Sequence, residues 1–401
     1  MLVIGGGPAG SAAAIELSRQ GRDVALVDKA VFPRDKCCGD GLTTGALRQL
    51  DELGLDPAAV GSWYEVEACS VRSPSGRTVE FPFPRDGVFG PVARRADLDA
   101  ALLDLACSGG TQVHEGHSFS WLDTNGDGVT VGFDGMEPIA ARYVVAADGM
   151  WSAVRKAACG GAEAGYLGEW HAFRQYLKAP GAEARKLWVF FEPDLLPGYA
   201  WSFPLPGGIA NVGFGIRRRP GEPTRSMAAT WRSLLSEPHI AEVLGADFSA
   251  EAPHKAWPIP ARLPTTTLDA RGGRVLFVGD AARATDPMTG EGIGQALETG
   301  RLAARAIGRA GPSRPDRASD AYRSALGRGM AIDHRMADLL SRALSSTQGA
   351  RGAVRLAGAS DWTRRNFARW LFEDYPRALI ATPRRWGSGM FHGAGAFRGS
   401  G

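Results

Sequence analysis

Three glycines and an aspartate near the start of the chain have the spacing of a nucleotide-binding turn. Gly5, Gly7 and Gly10 follow a short apolar segment in a G-x-G-x-x-G register, and Asp28 ends the next apolar segment. Glycines in such a turn let a phosphate approach the amides at a helix start, and the following acid can accept a hydrogen bond from a ribose hydroxyl. The combination predicts dinucleotide binding.

A second segment suited to an anionic ligand lies late in the chain. An apolar run stops at Gly279-Asp280, and a loop rich in Pro and Gly then leads into a helical pattern. This order is typical of a buried strand that feeds a helix N-terminus, where free amides and the helix dipole favour negative charge. Gly290 and Gly292 let a ligand approach the backbone there, and Asp280 can accept a hydrogen bond from a sugar-like hydroxyl. Taken alone, the segment is equally well explained as an ordinary turn.

A third strand end, Asp148-Gly149, follows another apolar run. One glycine turn by itself fits an enzyme that uses a nicotinamide nucleotide. Because an Asp-Gly and a late Gly-Asp accompany the turn, the three segments together predict FAD as the cofactor.

The elements that position these residues alternate between strand and helix patterns. We expect a strand at 2–4, a helix at 11–20 and a strand at 23–27, which together form a βαβ unit. An amphipathic helix is expected at 94–106, and a further strand at 142–149 ends in the Asp-Gly pair. This succession predicts a Rossmann-type domain.

The pattern changes between 166 and 216, where strands rich in aromatic residues are expected. Alternation places Tyr199, Trp201 and Phe203 on one face of a single strand. Such a face either packs on a core or lines a cavity for an apolar ligand, and the pattern does not choose between them. Helices are expected near 225–244, from 302 to about 344, and again at 361–379.

The predicted fold class is therefore α/β, with a Rossmann-type FAD-binding domain, a substrate domain built on an antiparallel sheet, and C-terminal helices. The FAD-binding domain is expected to be discontinuous, over 1–60, 88–160 and 272–325. We expect the substrate domain at 61–87 and 161–271, and a helical region that ends in a flexible Gly-rich tail at 326–401.

Composition narrows the range of partners. The chain has 401 residues and a net charge of +3, from 46 Lys and Arg against 43 Asp and Glu, so we expect no nucleic-acid partner. Its five cysteines lack paired metal-ligand spacing, which favours a reducing compartment and argues against a metal site. No stretch approaches the ~18 apolar residues needed to span a bilayer, and no signal peptide precedes the first strand. We expect a cytoplasmic protein, and a peripheral membrane contact is compatible with this.

Four sequence motifs resemble those of one flavoprotein family. They are GGGPAGS at 5–11, FPRDKCCGDGL at 32–42, PGYAWSFP at 197–204 with NVGFG at 211–215, and GDAA at 279–282 followed by DPMTGEG at 286–292. The chain resembles the two-domain FAD oxidoreductases that include aromatic hydroxylases, halogenases and geranylgeranyl reductases. The chain is more similar to the geranylgeranyl reductase family than to the hydroxylases at three positions, Arg283, Glu291 and Gln295. Cys37 and Thr44-Gly45 depart from the usual pattern of the family.

The resemblance implies roles for particular residues. The N-terminal glycines would hold the pyrophosphate, Asp28 the adenosine ribose, and Asp280 the ribityl chain, while the helix start after Pro287 would face the flavin pyrimidine edge. Cys38 would lie beside the flavin. It would either donate the catalytic proton or only pack against the ring, and a flavin-bound water is the other candidate donor. Tyr199, Trp201 and Phe203 would contact the substrate. The expected cofactor contacts are Gly5, Gly7, Pro8, Ala9, Gly10, Asp28, Lys29, Cys38, Gly39, Gly41, Arg95, Asp148, Asp280, Pro287, Gly290, Gly292 and Ile293.

The family suggests a reductase that saturates carbon–carbon double bonds of an isoprenoid or related polyunsaturated lipid, with hydride from reduced FAD. NAD(P)H or a small redox protein would supply the electrons. A flavin monooxygenase or halogenase that acts on an aromatic or polyketide compound is the main alternative. A flavoprotein that binds lipid without turnover, with its Arg- and Trp-containing C-terminal helices on a membrane, is a second. The adjacent Cys37 and Cys38 are expected to be free, since their disulfide would form a strained ring.

Overall fold

The structure is a computed structural model that describes residues 1–84, 87–160, 168–218, 226–372, 376–386 and 396–397. Most of the Gly-rich tail expected at 387–401 lies outside these residues. Ala396 pairs with Val88, and the ring of Phe397 packs edge-on against Trp63 at a centroid distance of 5.8 Å. Among the described residues, no helix is both long and apolar enough to cross a bilayer.

The strands of the described residues form three sheets. In chain order they are β1 (Leu2–Ile4), β2 (Ala25–Asp28), β3 (Ala68–Arg72), β4 (Thr78–Pro82), β5 (Gln112–Glu115), β6 (Phe119–Asn125), β7 (Gly128–Phe133), β8 (Met136–Ala141), β9 (Val144–Ala146), β10 (Trp170–Lys178), β11 (Leu187–Phe190), β12 (Tyr199–Leu205), β13 (Ile209–Arg217), β14 (Ser249–Ala250), β15 (Lys255–Ile259), β16 (Asp269–Ala270) and β17 (Val275–Phe277).

Helices connect and cover the sheets. They are α1 (Pro8–Arg19), α2 (Thr44–Glu52), α3 (Arg95–Ser108), α4 (Ala153–Ala158), α5 (Met227–Leu235), α6 (Pro238–Leu244), α7 (Ile293–Ala310), α8 (Pro315–Arg328), α9 (Met330–Leu344), α10 (Thr347–Ala357) and α11 (Asp361–Leu371).

The first sheet is the Rossmann-type core. Its strand order is β16-β17-β9-β1-β2-β5, and every pairing is parallel except β16 with β17. Strands buried on both faces read as continuous apolar runs, and β1 and β17 are fully buried. Because the strands are parallel, the loops after β1, β2, β9 and β17 meet at one edge, where ligands bind in such sheets.

The second sheet has the order β14-β10-β13-β12-β11-β3-β4, with β15 also on β10. Its pairings are antiparallel except β11 with β3. Strands β6, β7 and β8 form a third, small antiparallel sheet, and β7 packs on the core of the first sheet. The α/β class with parallel and antiparallel sheets and C-terminal helices is confirmed.

Several element boundaries differ from the expectation. The first helix begins at Pro8 and not near 11, because Pro at the first helical position loses no hydrogen bond and its φ is already helical. The helix at 94–106 is present as α3. Its buried residues lie on one side, and that side includes the charged Arg95 and Asp99 beside Leu98. The sequence pattern missed α10, whose start is capped by the hydroxyl of Ser346 at 3.0 Å from the amide of Gly349.

Candidate active site

A cavity of about 650 Å³ lies between the carboxyl edge of the first sheet and one face of the second. The loops after β1, β2, β9 and β17 line one side of it. Strands β10, β12 and β15 line the other side with the aromatic residues Trp170, Tyr199, Trp201, Phe203 and Trp257. A site of this kind can hold a polar cofactor against the first sheet and an apolar molecule against the second.

The cavity wall brings together nearly all of the residues that the sequence singled out. Gly10 and Pro287 do not line it: a Cβ at Gly10 would lie 1.7 Å from the carbonyl oxygen of Gly5, so Gly10 serves close packing of the turn. The expected residues in the wall are Gly5, Gly7, Pro8, Ala9, Asp28, Lys29, Cys38, Gly39, Gly41, Arg95, Asp148, Tyr199, Trp201, Phe203, Asp280, Gly290, Gly292 and Ile293.

The glycine turn is held in place by Asp28. One carboxylate oxygen of Asp28 accepts from the amide of Gly6 at 2.6 Å, and the other accepts from the amide of Ala30 at 2.8 Å. Each oxygen keeps a second lone pair, so Asp28 can still accept from a ribose hydroxyl. No side chain of the described residues caps the start of α1, which leaves its first amides for an anion.

Two arginines share one buried acid beside this turn. Arg95 donates to both carboxylate oxygens of Asp99, at 2.8 and 2.7 Å, and Arg34 lies 3.0 Å from the same carboxylate. Asp99 is fully buried, whereas both arginines line the cavity. Two cations against one anion leave net positive charge in the wall, which suits a diphosphate. The sequence pattern did not identify the pair of Arg34 and Asp99. These residues are 65 positions apart, and a local pattern cannot predict a contact over that separation.

The two other aspartates of the strand ends are already engaged. Asp148 accepts from the hydroxyl of Ser152 at 2.6 Å and from the amide of Val154 at 3.0 Å, so it secures the start of α4. Burial raises the pKa of Asp148. Asp280 accepts from the ammonium group of Lys36 at 3.1 Å. Both face the cavity while they also fasten loops of their own chain.

The loop that carries Cys38 is anchored by a buried polar network. The side-chain amide of Asn211 donates to the carbonyl oxygen of Cys38 at 2.8 Å and to the carboxylate of Asp40 at 2.7 Å. The hydroxyl of Tyr176 donates to the same oxygen of Asp40 at 2.6 Å, and the indole of Trp201 donates to Asn211 at 3.1 Å. The network ties the loop after β2 to the aromatic sheet.

The chemical state of this loop follows from its burial. Removal from water raises the pKa of Cys38 to about 11, so its side chain is a thiol at neutral pH. Burial also raises the pKa of Asp40 to about 6. The amide of Asp40 lies 3.4 Å from the sulfur of Cys38. Cys37 and Cys38 are both free, as expected.

The aromatic row on β12 faces the Cys38 loop. Tyr199, Trp201 and Phe203 lie side by side, with centroid distances of 6.1 and 6.2 Å between neighbours. A Cβ at Gly41 would lie 3.1 Å from the ring of Phe203, so that ring packs directly on the loop backbone. Of the two interpretations of this face, the structure favours a cavity lining.

The start of α7 carries an acid to which the sequence assigned no role. A carboxylate oxygen of Glu291 accepts from the amide of Gly294 at 2.7 Å, at the same helix start that presents Gly292 and Ile293 to the cavity. Burial raises the pKa of Glu291 to about 7, and the neighbouring Asp286 adds to the shift. A negative charge on Glu291 therefore competes for the helix N-terminus with any anion in the cavity.

The residues present fit FAD. A glycine turn with uncapped amides, two arginines that face the cavity and Asp28 supply partners for the diphosphate and ribose. The start of α7 and Asp280 lie further along the same wall. The aromatic row closes the cavity opposite them, which leaves an apolar side for a second molecule.

Comparisons with known proteins agree with this geometry. The model of the FAD binding domain family matches residues 1–325. The menaquinone reductase of Mycolicibacterium smegmatis is 33% identical over 331 residues, which cover 76% of this chain and 75% of that protein. Digeranylgeranylglycerophospholipid reductase 2 of Methanopyrus kandleri is 31% identical over 315 residues, with coverage of 76% and 75%.

A solved structure shows the same fold over nearly the whole chain. The geranylgeranyl bacteriochlorophyll reductase-like protein of Thermoplasma acidophilum superposes with a TM-score of 0.78 at 21% identity, over 96% of this chain and 98% of that one. The match to the FAD binding domain and the relatives named reductases confirm the expected enzyme class. The chain thus belongs to the geranylgeranyl reductase family of FAD-dependent oxidoreductases.

Proposed function

We propose that this reductase saturates carbon–carbon double bonds in the isoprenoid chain of a lipid or quinone, or in a related polyunsaturated lipid. The observation that carries the proposal is the aromatic row of Tyr199, Trp201 and Phe203, which faces Cys38 in the cavity that also holds the nucleotide-binding turn. An apolar chain laid along this row would bring an alkene between the rings and the thiol. The relatives are named for a quinone and for a geranylgeranyl lipid, both of which carry isoprenoid chains.

In this proposal, residues of the protein bind the cofactor, orient the alkene and supply its proton. Bound FAD supplies the hydride for one alkene carbon. Arg34, Arg95 and the amides at the start of α1 hold its diphosphate. The aromatic row excludes water and positions the alkene, because an isolated alkene accepts hydride poorly and depends on close alignment.

Cys38 holds the proton that the second alkene carbon needs. Its half-buried thiol stays protonated at neutral pH, and the amide of Asp40 stabilises the thiolate once the proton has left. We further propose NAD(P)H or a small redox protein as the electron source. A peripheral contact with a membrane would give the protein access to a lipid substrate.

The test is anaerobic turnover of the FAD-loaded protein with a menaquinone and with a geranylgeranylated glycerolipid, each followed by mass spectrometry. We expect a product two hydrogens heavier from one of them. An oxygenated or halogenated product that appears only in air would overturn the proposal in favour of a monooxygenase or halogenase.

The role of the thiol is tested separately. Cys38→Ser should bind FAD normally and lose most of its turnover, because a hydroxyl is a far weaker acid than a thiol. Cys107→Ser is the matched control, since Cys107 is exposed on the far part of α3. Full turnover by Cys38→Ser would remove the thiol from the mechanism and leave the reductase assignment intact.

A further inference from the structure

Glu291 occupies the point at which the cavity meets the start of α7. Its carboxylate accepts from the amide of Gly294 at 2.7 Å, and its neighbour Gly292 is the residue before the helix. Gly292 and Ile293 line the same part of the cavity, so Glu291 and a bound cofactor share one helix N-terminus. This arrangement places a proton-binding group directly beside the expected flavin site.

The charged and titratable groups around Glu291 come from five elements. Asp286 lies in the loop before α7 and donates its amide to the carbonyl oxygen of Glu291 at 2.8 Å. Arg377, from the segment after α11, lies 3.6 Å from the carboxylate of Asp286, and both side chains are buried. His334 of α9 is buried near this pair. Tyr199 of β12 and Cys38 of the loop after β2 face Glu291 across the cavity.

This environment leaves Glu291 poised to gain a proton. Burial opposes ionisation of Asp286. Arg377, His334 and the amides of Thr289 and Met288 together outweigh burial and hold the pKa of Asp286 below its usual value. Asp286 is therefore the ionised partner of Arg377, and its charge disfavours a second carboxylate. Burial and Asp286 together raise the pKa of Glu291 to about 7.

We propose that Glu291 takes up one proton when the bound flavin is reduced and releases it when the flavin is reoxidised. The inference rests on the proposed function. A reduced flavin carries negative charge at its pyrimidine edge, and an ionised Glu291 at the same helix start would repel it. Protonation of Glu291 removes the repulsion and leaves the amides of the helix start to the flavin.

Electrons and protons balance over one catalytic cycle. Reduction consumes two electrons from the donor and two protons, of which one joins the anionic reduced flavin and one joins Glu291. Alkene reduction returns the flavin to its oxidised form as hydride leaves for one carbon. Glu291 releases its proton as the flavin is reoxidised, and this balances the proton that the Cys38 thiol gives to the second carbon. Hydride and proton are thus stored together and released together.

The test is the number of protons taken up per two electrons, read from the pH dependence of the flavin midpoint potential in the FAD-loaded protein. Between about pH 7 and 9 we expect the wild type to take up two protons per two-electron reduction. Each proton changes the midpoint potential of a two-electron couple by about 30 mV per pH unit, so the potential should fall by about 60 mV per pH unit. Glu291→Gln keeps an acceptor oxygen for the amide of Gly294 but cannot bind the proton. It should take up one proton on reduction, so its midpoint potential should fall by about 30 mV per pH unit.

Glu298→Gln is the matched control, since Glu298 is a partly buried acid two turns further along α7 that does not line the cavity. It should keep two protons. A wild-type count of one overturns the proposal whatever the variants do. Equal counts for wild type and Glu291→Gln also overturn it. If Glu291→Gln does not bind flavin, Glu291→Ala, which also lacks a titratable group, provides the comparison and should show one proton. Because the readout is a potential, the absence of lipid reduction would count against the proposed function alone.

Discussion

Asn211 and Cys38 are joined by a hydrogen bond of 2.8 Å, from the side-chain amide of Asn211 to the carbonyl oxygen of Cys38. Asn211 lies on β13 of the second sheet, whereas Cys38 lies in a loop that leaves the first sheet. Asn211 is fully buried and also bonds to Asp40 and Trp201. One amide thus fixes the distance between the thiol and the aromatic row.

Asn211→Leu should therefore destabilise the protein. It leaves the carbonyl of Cys38, the carboxylate of Asp40 and the indole of Trp201 without their shared partner, and buried groups of this kind each cost about 1–3 kcal/mol. We expect a loss of about 3 kcal/mol or more in the free energy of unfolding, measured by urea denaturation. Asn125→Leu is the control, because Asn125 is exposed at the end of β6 and should change stability by less than about 0.5 kcal/mol. Equal stability of the two variants would contradict the anchoring role.

Asp40 should make stability depend on pH. Burial raises its pKa from 3.8 to about 6 in the folded state, so the folded protein holds a proton that the unfolded chain has lost. Stability then falls as pH rises from about 4 to about 6 and is level above that, with a total near 3 kcal/mol. Asp40→Asn should lack this fall when urea unfolding of both proteins is compared across the window. A variant with an unchanged pH profile would show that Asp40 ionises normally.

Two alanine variants separate the structural and binding roles of the glycine turn. A Cβ at Gly10 would lie 1.7 Å from the carbonyl oxygen of Gly5, so Gly10→Ala should disrupt the turn and lower thermal stability even without FAD. A Cβ at Gly7 would lie 3.3 Å from one terminal nitrogen of the long Arg34 side chain and near no backbone atom, so Gly7→Ala should fold normally. Because Gly7 lines the cavity, the added methyl should weaken FAD binding, measured by fluorescence titration. Normal FAD affinity in Gly7→Ala would place the diphosphate elsewhere.

Asp99→Asn tests the arginine pair. The substitution removes the charge that holds Arg95 and Arg34 in the wall, and hydrogen bonds to charged groups contribute about 1.5–3 kcal/mol. We expect FAD affinity to fall at least about tenfold, since misplaced guanidinium groups no longer meet the diphosphate. Asp104→Asn on the same helix is the control, because Asp104 is exposed there. Tighter binding in Asp99→Asn would show that Asp99 opposes the cofactor more than it orders the arginines.

Local patterns predicted the parts of the fold that depend on near neighbours. The turn at Gly5 to Gly10 and the alternation of β12 are set by residues within one element, so spacing alone identified them. The start of α1 at Pro8 was missed because the glycine turn and the helix overlap there. The helix α10 was missed because a short helix gives a weak periodic signal.

The polar partners in the site could not be found in this way. Asp40 and Asn211 meet across 171 positions. Arg95 was expected beside the cofactor, but its buried partner Asp99 and the second arginine, Arg34, were not. Glu291 stood among glycines that a cofactor was expected to approach, yet its carboxylate bonds to the helix start itself. No local pattern reports such contacts.

The sequence by itself determined the cofactor class and the family, because glycine spacing, strand ends and aromatic alternation are properties of single segments. Only the tertiary structure decided which groups of the cavity wall can hold a proton at neutral pH. The proton affinities of Cys38, Asp40 and Glu291 depend on burial and on charges brought in from distant segments, and both arise when the two sheets close over the cavity.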